Sequence, residues 1–182
     1  MRTLTAAKFA ATTIVLLLAA AGTADARPAP RGDVGIDETA PVITRENVLI
    51  HAPLPTIWKI QTEVENWPAW QPDVETVVKD TPGRLRPGSA FRWSTEGLDI
   101  TSTVKQAKHG KRLVWGGPAQ GITAVHVWTF TPARDGVLVH TEESWTGAPV
   151  VADQADLQAA LDNSLRNWVA NLKHEAEAKA TG

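Results

Sequence analysis

From Phe91 to Gly147 the chain alternates apolar and polar residues in short runs, and turn residues break each run from the next. This block, FRWSTEGLDITSTVKQAKHGKRLVWGGPAQGITAVHVWTFTPARDGVLVHTEESWTG, constrains the fold more than any other stretch. Side chains along a strand point to opposite faces in turn, so period-two alternation marks strands with one buried face. Ser89–Thr95, Leu98–Ala107, Arg112–Gly117, Ile122–Thr131 and Val137–Trp145 are therefore expected strands. Glu96-Gly97, His109-Gly110-Lys111, Pro118-Ala119-Gln120-Gly121 and Asp135-Gly136 supply hairpin turns between them. Two more strands are expected upstream, Val42–Ile50 and Asp73–Asp80. Strands in direct succession favour an antiparallel meander.

Helical spacing flanks this block on both sides. Ile57, Ile60 and Val64 recur at helical intervals after Pro55, which suits a first helical turn. Asn66-Trp67-Pro68-Ala69-Trp70-Gln71-Pro72 reads as a second short helical turn broken by proline. Downstream, Asp153 can cap a long helix whose stripe is Leu157, Leu161, Leu165, Trp168 and Leu172. That stripe predicts about six turns with one apolar side. The concave face of the sheet is the only large apolar surface left to cover it. Trp168 is expected to pack there as core.

The N-terminus has a different character. Arg2 and Lys8 precede an almost wholly small or apolar run from Phe9 to Gly22, and Ala24-Asp25-Ala26 gives a small-x-small cleavage pattern. Residues 1–26 are thus expected to be a secretory signal peptide, because the apolar run is shorter than the roughly 18–20 residues of a spanning helix. Residues 27–41, rich in Pro, Gly and Ala, are expected to form a flexible linker, and 42–182 the folded domain.

The chain has no cysteine, which removes disulfides, thiol nucleophiles and zinc–thiolate sites. Of 18 basic and 20 acidic residues, the leader takes Arg2, Lys8 and Asp25, leaving a net charge of −3. So mild a balance predicts neither nucleic-acid binding nor strong attraction to anionic membranes. No membrane anchor is expected after cleavage. The five histidines are scattered through the sequence, and no local metal motif, phosphate-cradling loop or G-x-S-x-G elbow is present. No cofactor or metal is called for.

Strand parity picks out the candidate site. Ala124, His126, Trp128 and Phe130 share one face of their strand, and Val139, Thr141, Glu143 and Trp145 share one face of the next. A two-residue turn at Arg134-Asp135 would set His126 directly across from Glu143, whereas a turn at Asp135-Gly136 would leave Glu143 diagonal. A three-residue loop would bring His126 beside Glu142 instead. The inward histidine and glutamate are the only acid–base pair this parity builds. They suit general acid–base catalysis, with the glutamate orienting the ring, or a polar rung that orients a ligand. Phe91, Trp93, Trp115, Trp128, Thr141 and Trp145 are the candidate ligand-binding residues, lining an aromatic pocket.

The order of strand, two short helices, six strands and long helix resembles the START-like superfamily, in its polyketide cyclase/dehydrase and lipid-transport branch. The matching pieces include Asn66-Trp67-Pro68-Ala69-Trp70-Gln71-Pro72, Pro87-Gly88-Ser89-Ala90-Phe91-Arg92-Trp93 and Trp115-Gly116-Gly117. Glu142-Glu143-Ser144-Trp145-Thr146-Gly147 and the Trp168-containing helix complete it, so the resemblance spans about residues 42 to 178. It implies an α+β helix-grip fold, a curved antiparallel sheet of about seven strands wrapped round the C-terminal helix. It also implies a hydrophobic or polycyclic small molecule as ligand, or a cyclase/dehydratase activity.

Overall fold

Seven antiparallel strands form one sheet in the computed structural model, which describes residues 32–181. The expected leader and the first part of the expected linker lie outside those residues. β1 (Val42–Ile50) is followed by α1 (Leu54–Thr62) and a 3-10 helix (Val64–Ala69). Then come β2 (Val74–Lys79), β3 (Ala90–Thr95), β4 (Leu98–Lys108), β5 (Arg112–Ala119), β6 (Ile122–Ala133) and β7 (Gly136–Thr146). A short α2 (Ala148–Ala152) leads into α3 (Gln154–Thr181).

The strand order is β1-β7-β6-β5-β4-β3-β2, so β2 to β7 meander and β1 closes on β7. Register shifts at Val74/Thr76 and Val104/Gln106 mark bulges, which bend a strand and increase its twist. The curved sheet and the long helix make the expected α+β helix-grip arrangement.

Local chemistry explains the turns. Thr95 pairs with Leu98 and Ala119 with Ile122, leaving the two-residue loops Glu96-Gly97 and Gln120-Gly121. All four loop residues have positive φ, at 49° and 76° in the first and 48° and 83° in the second. That is the mirror-image turn whose twist matches paired strands. Glycine adopts it freely, while Glu96 and Gln120 hold it against steric cost.

α3 is longer than its apolar stripe predicts, at 28 residues or nearly eight turns. Leu161, Leu165, Trp168 and Leu172 are all buried, as the stripe requires. Beyond Leu172 the helix continues because Ala176 is still buried and Glu177 accepts from His51 N–H, with Lys179 and Glu175 paired one turn apart. Asp153 stands immediately before the helix, and its carbonyl accepts from Leu157 N–H.

Trp67, from the 3-10 helix, is the centre of the core and is fully buried. Its ring lies 5.0 Å from Trp168, 5.5 Å from Phe91, 5.6 Å from Trp115 and 5.9 Å from Trp93, centroid to centroid. Its indole N–H donates to the Gln61 carbonyl. One proline-broken turn thus plugs the end of the sheet nearest α1.

Part of the outer face of the sheet, over β5 and β6, is also covered. Val114 and Val127 pair across β5 and β6 and are fully buried, although their parity turns them away from α3. Residues 33–37, in the stretch read as linker, run across this face. Asp33 bonds to Gln106 and Lys108 of β4, the Val34 carbonyl accepts from Arg112 of β5, and Asp37 N–H donates to Ser144 of β7. Val114 and Val127 lie along that path. No helix among the described residues is long and apolar enough to cross a membrane.

Candidate functional site

The β6–β7 turn is Arg134-Asp135, because Ala133 pairs with Gly136. Of the alternatives left open by the sequence, this one aligns His126 with Glu143 and Ala124 with Trp145. The side chains follow the backbone: His126 Nδ1 lies 2.9 Å from Glu143 Oε2. The other ring nitrogen, Nε2, lies 2.8 Å from Thr141 Oγ1.

Thr141 determines the protonation pattern. Its hydroxyl donates to the Val127 carbonyl at 3.0 Å, so its single proton is used and it must accept from His126 Nε2. Nε2 therefore carries a hydrogen. The contact between Nδ1 and Oε2 then needs one further proton, and the pair is electrically neutral whichever atom holds it. Glu143 Oε1 accepts from Trp145 Nε1 at 2.7 Å. Burial pushes the Glu143 carboxyl up, but the adjacent His126 charge and the hydrogen bonds from His126 and Trp145 outweigh it. The net result holds Glu143 below the ordinary glutamate range.

This pair faces a recess of about 590 Å³ between the sheet and α3, within the usual range of ligand pockets. Of the candidate ligand-binding residues, Trp93, Trp115 and Trp145 line it, as do His126 and Glu143. Phe91, Trp128 and Thr141 do not. Phe91 and Trp128 are fully buried in the core, Trp128 stacked 6.2 Å behind Trp115, and Thr141 holds the histidine from the side. Parity assigns a residue to a face; how deep it lies on that face depends on which neighbours cover it.

Sequence reasoning missed several lining residues. Trp168, expected only as core, also borders the recess, and Asn163, Ser164 and Asn167 precede it along α3. Their i, i+1, i+4 spacing is one helical face, but a polar face on an amphipathic helix reads as solvated surface. The rim is formed by the Glu96 and Gln120 hairpin tips, Asp73 and the α2–α3 junction at Asp153. Gly116 and Gly117 let neighbouring strands close in along one wall. A Cβ on Gly116 would meet the Ala124 carbonyl oxygen at 2.1 Å, and one on Gly117 the Thr101 carbonyl at the same distance.

With this geometry in view, the family model described as polyketide cyclase/dehydrase and lipid transport matches residues 41–177. The chain belongs to that family. The match runs from the residue before β1 nearly to the end of α3, so it takes in every element of the fold. Solved structures share the fold at low identity. Hypothetical protein jhp0584 from Helicobacter pylori superposes with a TM-score of 0.69 at 17% identity, over 81% of this chain and 99% of that one. A START superfamily protein from Mycobacterium smegmatis gives 0.62 at 14% identity, over 75% of this chain and 97% of that one. The di-domain aromatase/cyclase StfQ of the steffimycin biosynthetic pathway gives 0.63 at 19% identity. There 78% of this chain covers 52% of StfQ, about half of the two-domain protein. No curated protein sequence matches the chain.

Proposed function

We propose that this member of the polyketide cyclase/dehydrase and lipid-transport family is exported and binds a hydrophobic or polycyclic small molecule in an internal cavity. The observation that carries the reading is the indole-walled recess, with Trp93, Trp115, Trp145 and Trp168 around the His126–Glu143 rung. Aromatic walls supply burial for flat apolar rings, and a few fixed polar groups set their orientation. His126 and Glu143 are such a rung. Both histidine nitrogens are engaged by protein groups, so Glu143 is the member with lone pairs to spare for a ligand hydroxyl. Support for export comes from the leader-like residues 1–26. Native mass spectrometry of protein purified from its source tests the binding reading. A co-purifying apolar molecule is expected, and a mass equal to that of the bare chain counts against it.

A second reading rests on the 2.9 Å contact between His126 and Glu143. A buried pair sharing one proton can act as a general acid–base, as aldol cyclisation or dehydration of a poly-β-ketone requires. In that reading Glu143 exchanges the proton with the substrate and His126 holds its counterpart. StfQ is named as an aromatase/cyclase. A His126→Ala variant that keeps ligand binding but loses turnover of a poly-β-ketone supports catalysis; unchanged turnover rejects it.

A further inference from the structure

The charges around the recess are one-sided, and their bearing on ligand choice rests on the reading of the recess as a binding site. Asp73 precedes β2, Glu96 is at the tip of the β3–β4 hairpin and Asp153 joins α2 to α3, and all three line the recess. None of them has an ion-pair partner among the described residues. No lysine or arginine is among the described lining residues. Arg166, beside this face of α3, has its guanidinium 3.9 Å from Glu46 and 3.3 Å from the Asn163 side-chain oxygen. It therefore reaches toward β1. Deeper in, His126 and Glu143 cancel one another.

Three carboxylates without ion-pair partners on the rim of a low-dielectric recess, only Asp153 of them offset in part by the N-terminus of α3, focus a negative potential into it. The walls act in the same sense. Trp93, Trp115, Trp145 and Trp168 present indoles, whose ring faces carry negative quadrupole charge and attract cations. Asn167 adds a carboxamide oxygen along the α3 side, able to accept from an N–H. For an anionic headgroup the lining offers no lysine or arginine, and Arg166 beside Asn163 is paired with Glu46.

We propose that the recess takes a hydrophobic cation, an aromatic or polycyclic amine or quaternary ammonium, and selects against carboxylate- and phosphate-bearing ligands. The apolar rings lie among the tryptophans, and the cationic end stays near the rim carboxylates.

Three probes with one ring system separate this from the general binding reading: anthracenylmethylamine, anthracenylmethanol and anthracenecarboxylate, each titrated calorimetrically into the full chain. At neutral pH the amine is expected to bind on the order of tenfold more tightly than the alcohol, with the carboxylate weakest. High salt should shrink that order, because the rim is exposed. The combined substitution Asp73→Asn, Glu96→Gln and Asp153→Asn should cut the amine's advantage over the alcohol several-fold, leaving the part that the indole faces supply. These rim side chains lie outside the core, so folding does not depend on them. Alcohol or carboxylate binding as tightly as the amine overturns the cation assignment and leaves the binding reading standing. A preference undiminished by the rim substitutions overturns the role of the carboxylates. Failure of all three probes to bind overturns the binding reading, and this proposal with it.

Discussion

His126 Nδ1 and Glu143 Oε2 lie 2.9 Å apart with one proton between them, while Thr141 engages the opposite ring nitrogen. The depressed Glu143 carboxyl links this contact to stability. Its folded-state value lies below the unfolded one, so as pH falls the unfolded chain takes up the proton first. The stabilisation is present above the ordinary glutamate value of 4.5 and is lost as pH drops through the folded value. Urea denaturation between about pH 6 and pH 3 should show the native protein losing stability more steeply than Glu143→Gln. At neutral pH the variant should be weaker by about 1–3 kcal/mol. Parallel pH profiles would remove Glu143 from the acid response.

Gln61 is fully buried in α1, and neither its amide nitrogen nor its amide oxygen has a partner among the described residues. Gln61→Met keeps the length of the side chain and removes both polar atoms. It should raise stability by about 1–3 kcal/mol, or several degrees in Tm for a domain this size. A Tm that falls instead would indicate that the amide is satisfied by an internal water.

Gly116 pairs with Val125 in the β5–β6 ladder and lies on the wall of the recess. A methyl group there would run into the Ala124 carbonyl, which is backbone and can yield only by shifting β6. Gly116→Ala should cost about 1–3 kcal/mol by overpacking and disturb the strand that carries His126. An unchanged Tm from thermal melts would mean that the strands separate freely at this point.

Removal of residues up to Glu38 should uncover the outer face of β5 and β6. Val114 and Val127 are fully buried there, and each such side chain is worth about 1.5–3 kcal/mol. The truncated chain should melt earlier and bind a hydrophobic dye that the longer chain does not. Identical melting curves would show that the segment contributes nothing to the fold.

Most of the sheet was legible because turn residues punctuate it, although alternation is blurred in β5 and β6, where Leu113 to Gly116 and His126 to Trp128 are buried without a break. β1 coincides with the expected Val42–Ile50, and the other strands differ from expectation by one or two residues at their ends. The His126–Glu143 register was one of three written into the turn, and the length and position of the loop, two residues at Arg134-Asp135, decide among them. Depth was not legible. Trp115 and Trp128 share a face and a spacing, yet one borders the recess and the other lies behind it. The central place of Trp67 was hidden as well, since a proline-broken turn carries no periodicity to aim it. Nor does alternation reveal that residues 33–37 cover a second face of the sheet.

Among the described residues, every polar tie between α3 and the sheet runs to β1 or the residues flanking it. Gln154 reaches Pro41, Gln158 reaches Ile43 and Thr44, Asp162 reaches Thr44, Lys173 reaches Leu49 and Glu177 reaches His51. The helix is stitched down one margin, like a cover bound along its spine. Along the opposite margin, over β3 to β5, the described residues supply no such stitch. If the recess holds a guest as proposed, that guest enters with every stitch intact, and the lean of a single rod limits its bulk.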